Sequence, residues 1–240
     1  PVFTPMMAGA PVWTVAQLVS EFFEVRMIDS ALEINKDLDL LLVIHPKGLS
    51  ELTQFAIDQY LLSGGKAMFF VDPLAEADRP QPNPENPYDV PVTSSNLEKL
   101  FTAWGISVSG TEIAADMTNA MRVQIRTDRG VEQTNYLPWM KLEKSNFNQD
   151  DFVTSELNII ALGSAGSISK NEGASVNFSP LIETSTEAMQ MPAEVLQYQR
   201  EPAQLLADFK SANRKFTLAA RLSGKVSSAY PDGAPTADVN

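Results

Sequence analysis

The segment Leu38–Pro73 constrains what this chain can fold into more than any other stretch. It reads LDLLLVIHPKGLSELTQFAIDQYLLSGGKAMFFVDP: an apolar run, a polar turn, a helical stripe, a glycine pair and a second apolar run. Two strands joined through a helix lie parallel in one sheet with a right-handed connection. The expected neighbours are Leu40–Ile44 and Ala67–Val71, with a helix over Glu51–Leu62 between them. Both apolar runs lack alternation, as strands covered on two faces do. Ser50 is placed to cap the helix, Glu51 complements its dipole, and Gly64-Gly65 ends it. Pro46 stops the first strand by removing a backbone donor. The strands therefore finish at His45-Pro46-Lys47 and Asp72-Pro73, and ligands of open α/β sheets sit outside such carboxyl ends. His45, Lys47, Asp72 and Pro73 are the candidate ligand-binding residues, and no catalytic or metal-ligating residue is assigned.

Around this unit the chain divides by texture. Val12–Phe23 carries a helical apolar stripe, and Val25–Ile28 is expected as a short strand. Opening on a helix omits the usual first strand of an α/β domain, which suggests trimming at Pro1. Residues 73–92 hold six prolines among Asp, Glu and Asn. So long a connection is either a flap over the strand ends or a loop without a role. Ser95-Asn96-Leu97-Glu98 has the form of a capping box for a helix burying Leu97, Leu100, Phe101 and Trp104. Ile106–Val108 is the next strand. Beyond residue 110, Met121–Thr127 alternates apolar and polar side chains before Asp128-Arg129-Gly130, the pattern of an antiparallel hairpin. Asn158–Leu162, Phe216–Ala220 and, more weakly, Leu181–Thr184 are further strands, and Pro202 starts a helix. One α/β domain is expected over 1–228, with its core in 12–110 and a β-rich part in 111–228. Residues 229–240 are expected to be a flexible linker.

Composition removes several function classes. A net charge of −12 disfavours nucleic acid and anionic membrane surfaces as partners. With no cysteine there is no thiolate nucleophile, disulfide framework or Cys-ligated metal. A single histidine, His45, cannot build a His-rich metal site. Ser-His-Asp chemistry with Ser50 or Ser63 is conceivable, although neither lies in a G-x-S-x-G elbow. Asp72 suits a general base or a metal ligand, and equally a side chain that fixes the turn after it. Gly64-Gly65 follows a helix, whereas phosphate loops precede one, so no cofactor is expected. No apolar run reaches the ~20 residues needed to span a bilayer.

Several short motifs occur together: the strand with His-Pro-Lys (Leu40–Lys47), Ala56–Gln59, Gly64-Gly65 and Phe-Val-Asp-Pro (Phe70–Pro73). Downstream stand Tyr136-Leu137-Pro138-Trp139, Leu181–Ser185, Ala219–Lys225 and Ser228–Pro231. In this set the chain resembles the auxiliary component of gliding-motility-type ABC transporters (GldG-like), over nearly its whole length. The resemblance implies a periplasmic or otherwise extracytoplasmic domain, held by membrane segments outside these residues and associated with ABC permease and ATPase subunits. It also implies a flavodoxin-like core, a three-layer sandwich like that of class I glutamine amidotransferases, with added antiparallel strands in the second half. Those amidotransferases place a cysteine after a buried strand. None exists here, which favours binding over catalysis.

Three functions follow in order. The first is a non-catalytic domain that binds a small polar ligand or a partner for a transporter. The second is a hydrolase or lyase acting on a sugar-type small molecule through Asp72 and His45. The third is a structural scaffold, which an exposed apolar patch would mark.

Overall fold

The computed structural model of the chain describes residues 14–28, 33–78, 92–128, 130–198 and 201–236. The prolines within 79–91, Trp13 and Arg129 fall outside the described residues. Helix α1 (Thr14–Phe22) comes first. Val25–Ile28 forms no strand, contrary to the expectation. Apolar residues supply only a preference for extended backbone, and a strand needs a ladder partner that these residues lack here.

Strand β1 (Leu41–Ile44), helix α2 (Glu51–Leu62) and strand β2 (Ala67–Phe70) follow the order read from the sequence. β1 and β2 pair in parallel, from Leu41 opposite Ala67 to Ile44 opposite Phe70. The Thr53 amide donates to Ser50 Oγ at 3.1 Å, so the cap is real, and Ala56, Ile57 and Tyr60 turn inward. Leu41 and Val43 face the same core. Phe69 packs its ring 5.7 Å from Phe101 and 5.5 Å from Trp104. Those two rings belong to helix α3 (Glu98–Ala103) and its C-terminal cap. The capping-box expectation fails in detail: Leu97, not Ser95, occupies the cap position and makes no side-chain cap bond. Ser95 stands two residues too early and its hydroxyl is engaged elsewhere.

The remainder is built from short antiparallel strands. β3 (Ile106–Val108) leads to β4 (Glu112–Asp116), then to β5 (Ala120–Thr127) and β6 (Gly130–Glu143). β7 (Ile159–Gly163), β8 (Ile168–Lys170), β9 (Asn177–Glu183) and β10 (Ala188–Pro192) come next. The short helices α4 (Val195–Tyr198) and α5 (Pro202–Ala207) precede the final strand β11 (Thr217–Ser223). The described sheets run β10-β4, β3-β8-β11-β9 and β5-β6-β7, and every pair in them is antiparallel. The β5–β6 hairpin closes with Thr127 opposite Gly130, as the alternation of Met121–Thr127 requires. Pro138 lies inside β6 where the β5 ladder jumps from Tyr136 to Met140, so its missing donor costs no ladder bond.

β4 explains how the second half holds together. Its side chains alternate between faces, sending Ile113 and Ala115 into one cluster and Ala114 into another. The first cluster gathers Leu74, Tyr136, Leu137, Leu196 and Leu205; the second gathers Met140, Leu142, Phe147 and Ile182. The split at residue 110 is not a boundary between cores, because Val176 and Tyr230 pack into the cluster of β1, α2 and α3. Tyr230 also corrects the linker expectation at its start. The Ser228 hydroxyl and the Ala229 amide both donate to the buried Asp58, and the Tyr230 ring meets Phe55 edge-on at 5.4 Å. Pro, Gly and Asp after Tyr230 hid this anchored tripeptide from a compositional reading.

Candidate functional site

The carboxyl ends of β1 and β2 do open on one edge, and His45 stands at its centre. Its amide is still on the ladder, donating to Phe70 O at 2.8 Å. Its backbone then turns into the left-handed region at φ 47°, which carries the chain out of the strand toward Pro46. The buried imidazole places Nδ1 2.9 Å from Ser95 Oγ and Nε2 3.2 Å from Asp78 Oδ2. Lys47 Nζ donates to the same Asp78 oxygen at 2.5 Å and to Val92 O at 2.6 Å.

Asp72 follows β2, and Ser95 fastens it in place. The Asp72 amide donates to Ser95 Oγ at 3.1 Å, while the Ser95 amide donates to Asp72 O at 2.8 Å. The partly buried Asp72 side chain accepts no hydrogen bond among the described residues. Burial raises its pKa above the usual carboxyl range, and the nearby His45 pulls in the opposite direction. Burial also works to raise Asp78, but hydrogen bonds from Lys47 and His45 outweigh it and leave that group lowered. Lys47 thus pairs with Asp78 rather than with the other nearby carboxylate, Asp72.

The second half of the chain grips the same edge. Pro73 lies against Gly166, where a Cβ would come within 3.0 Å of Pro73 Cδ and of Ser109 O. A side chain there would force the Pro73 ring or the Ser109 backbone to give by a few tenths of an ångström, so glycine permits the close approach. Leu74 is buried among Tyr136, Leu137 and Leu196. The Glu76 carboxyl accepts the Trp139 indole N–H at 2.8 Å and the hydroxyl of the buried Ser164. Ser164 and Gly166, just after β7, are thus the clamp that holds Pro73–Glu76.

The four sequence candidates are brought to one edge: His45, Lys47 and Asp72 in the cluster, Pro73 at its back. Sequence reasoning missed Ser95, Asp78, Glu76 and Ser164. Ser95 was hidden by its resemblance to a helix cap, and Asp78 stands in a run of loop residues with no periodic signal. The serines weighed for hydrolysis have other uses: Ser50 caps α2 and Ser63 Oγ donates to Tyr60 O at 2.8 Å. Ser95, His45 and Asp78 do form a serine–imidazole–carboxyl chain. Ser95 is only 4% exposed and its oxygen already accepts the Asp72 amide, so the hydroxyl is a structural link. Among the described residues no group of three or more His, Asp or Glu side chains is arranged to hold a metal ion. Two open depressions lie elsewhere. One, of about 220 Å³, is lined by Lys36, Asp39 and Gly64–Lys66 at the opposite edge; the other, of about 240 Å³, lies by Phe147 and Pro180.

A family model described as "ABC-type uncharacterized transport system" matches residues 3–240. The chain belongs to that family. It is also 25% identical over 219 residues to an uncharacterized protein of Borreliella burgdorferi, covering 87% of this chain and 41% of that protein. This ABC-type family member therefore spans less than half the length of that relative. No solved structure matches it. Within this transport-family domain, no described helix is long and apolar enough to cross a membrane.

Proposed function

We propose that this chain is an auxiliary component of its transport system and acts as a non-catalytic, extracytoplasmic binding domain of the gliding-motility kind. In this reading it is anchored by membrane segments outside these residues. It meets the permease–ATPase assembly, or a small polar ligand, over the edge bearing His45, Lys47, Asp72 and Pro73. We read its first half as a flavodoxin-like, class I amidotransferase-like layer arrangement, a reading supported by the parallel β1–β2 pair with α2 and α3 against one side.

Asp72 carries the proposal. Every other polar side chain of the cluster is engaged: His45 with Ser95 and Asp78, Lys47 with Asp78 and Val92. Asp72 alone of these keeps its acceptors uncommitted among the described residues, on the side where open α/β sheets take ligands. A partner presenting donors or a cation would be received there. Hydrogen exchange on the domain, alone and co-purified with its permease and ATPase, tests this. Protection at Ile44–Leu49 and Val71–Asp78 is expected; protection confined to Gly64–Lys66 would overturn it. A scaffold role is favoured by a different observation, the exposed Met68 and Phe70 on β2.

A further inference from the structure

β5 is the end strand of the β5-β6-β7 sheet, and among the described residues β6 is the only strand that pairs with it. Its register fixes which backbone groups are spare. Thr127 and Gly130 close the hairpin as opposed residues, and a two-residue turn permits that only as a hydrogen-bonded pair. The amides and carbonyls of Thr127, Ile125 and Val123 are therefore turned toward β6. Those of Arg122, Gln124 and Arg126 point away from it, and no described group bonds to them. Sheets commonly blunt such an edge with proline, a bulge or a short strand. β5 is eight residues long and holds no proline, and its one register shift lies at its start, between Ala120 and Met121.

The side chains at the same three positions share one face and are exposed. Across the hairpin that face carries Val131, Gln133 and Asn135, and no carboxylate. Glu132 belongs to the other face, where it accepts the Thr127 hydroxyl at 2.9 Å. Arg122 and Arg126 thus stand without an ion pair among the described residues, in a chain that carries −12. Their charge also selects what can pair with the edge. A second β5 laid antiparallel about Gln124 would set each Arg122 beside the other copy's Arg126, and like charges there repel. An acidic strand in the same place is attracted.

We propose that the outer edge of β5 receives an extended acidic segment of a partner polypeptide as an added strand. The backbone groups of Arg122, Gln124 and Arg126 supply the ladder. The two guanidinium groups select carboxylates four residues apart on one face of the incoming strand. Four residues of strand span roughly 13 Å, so the pair reads a chain and not one small anion. The inference is independent of binding at Asp72, which follows β2 in a different sheet.

The probe is the peptide Thr-Glu-Val-Thr-Val-Glu-Thr, whose glutamates stand four apart, and the control carries lysine at both places. With about 1 mM of the glutamate peptide, amide exchange at Arg122, Gln124 and Arg126, read by NMR, should slow on the order of tenfold. The lysine peptide should leave it unchanged. Arg122→Glu combined with Arg126→Glu should reverse the preference, a gain that a misfolded variant would not show. Gln124→Pro deletes an outward donor without touching the β6 ladder and should weaken the glutamate peptide several-fold. Binding of that peptide without slower exchange at the three amides would reduce the contact to an ionic one and overturn the proposal. Equal protection by both peptides, or none by either, would overturn it too. Protection of these amides already in the free protein, with a dimeric mass, would overturn it in favour of a second copy.

Discussion

Asp58 and Asp72 belong to the same strand–helix–strand unit, yet their surroundings are opposite. Asp58, on α2, is fully buried and accepts four donors: Trp104 Nε1 at 2.9 Å, Ser228 Oγ at 2.6 Å, Gln59 Nε2 at 3.1 Å and the Ala229 amide at 3.3 Å. Asp72, at the strand end, is partly buried and accepts none among the described residues. Asp116 sides with Asp58. It is buried at the end of β4 and collects the Thr118, Asn119 and Ser185 amides together with the Asn119 and Ser185 side chains. A carboxyl group surrounded by fixed donors from distant segments is part of the framework. A carboxyl group held in place through its backbone, with its oxygens uncommitted, is available to something else.

The largest way to break the contrast is to remove Asp58. Asp58→Ala would leave the buried donor of Trp104 and the half-buried donor of Ser228 unmatched, at about 1–3 kcal/mol each, for a total loss of about 3–5 kcal/mol. Urea unfolding should show a lower midpoint at unchanged slope, and Tyr230 should lose its protection from solvent. A loss below about 1 kcal/mol would mean the Ser228–Tyr230 segment is not held by this group. Next in size is Leu74→Ala, which opens a cavity among Tyr136, Leu137 and Leu196 and should cost about 3 kcal/mol. The same variant should loosen the clamp at Pro73 and Glu76, read as faster amide exchange at Ala75. An unchanged exchange rate there would show that the edge is held from β1 alone.

Asp78 lies between the two extremes and sharpens the comparison through pH. Burial opposes its charge, yet the bonds from Lys47 and His45 lower its pKa. A carboxyl group with a lowered folded-state pKa adds stability above its unfolded value and loses it as pH falls through the folded one. Asp78→Asn should therefore cost about 1–2 kcal/mol at pH 7. That cost should shrink toward zero as the native protein is taken through acid. Stability curves of the two proteins that run parallel down to the most acidic pH would contradict the assignment.

What was legible in the sequence was set by local, periodic signals. The run from Leu41 to Phe70 declared its strands and helix because apolar content, the Ser50 cap and the Gly64 stop agree with one another. The β5–β6 hairpin was legible for the same reason. The site was half legible. Strand ends locate an edge, so His45, Lys47 and Asp72 could be named, but their partners come from 23 to 50 residues away and follow no period. Ser95 obeyed the wrong local rule, because a hydroxyl three residues before a glutamate satisfies a cap pattern whether or not the helix starts there. Val25–Ile28 failed as a strand for the complementary reason: its propensity found no ladder.

The smallest effect on stability is expected at Asp72, and its sign is the decisive part. Burial raises its folded-state pKa, with His45 opposing. A carboxyl group raised on folding favours the protonated form, so its contribution is fully present below the unfolded value near 4 and is lost as pH rises through the folded one. At pH 7 the native protein therefore carries a mild penalty, which Asp72→Asn relieves. The variant should be equally or slightly more stable, by less than about 1 kcal/mol, with the difference vanishing in acid. This is opposite in sign to Asp58→Ala and Asp78→Asn. The same substitution should weaken association with the permease–ATPase assembly, measured by co-purification of the two proteins side by side. A group that loosens binding while leaving folding intact is serving the partner, whereas a group that does the reverse is serving the fold. If Asp72→Asn destabilises the domain at pH 7 and leaves association unchanged, Asp72 joins Asp58 in the framework and the binding edge must be sought elsewhere.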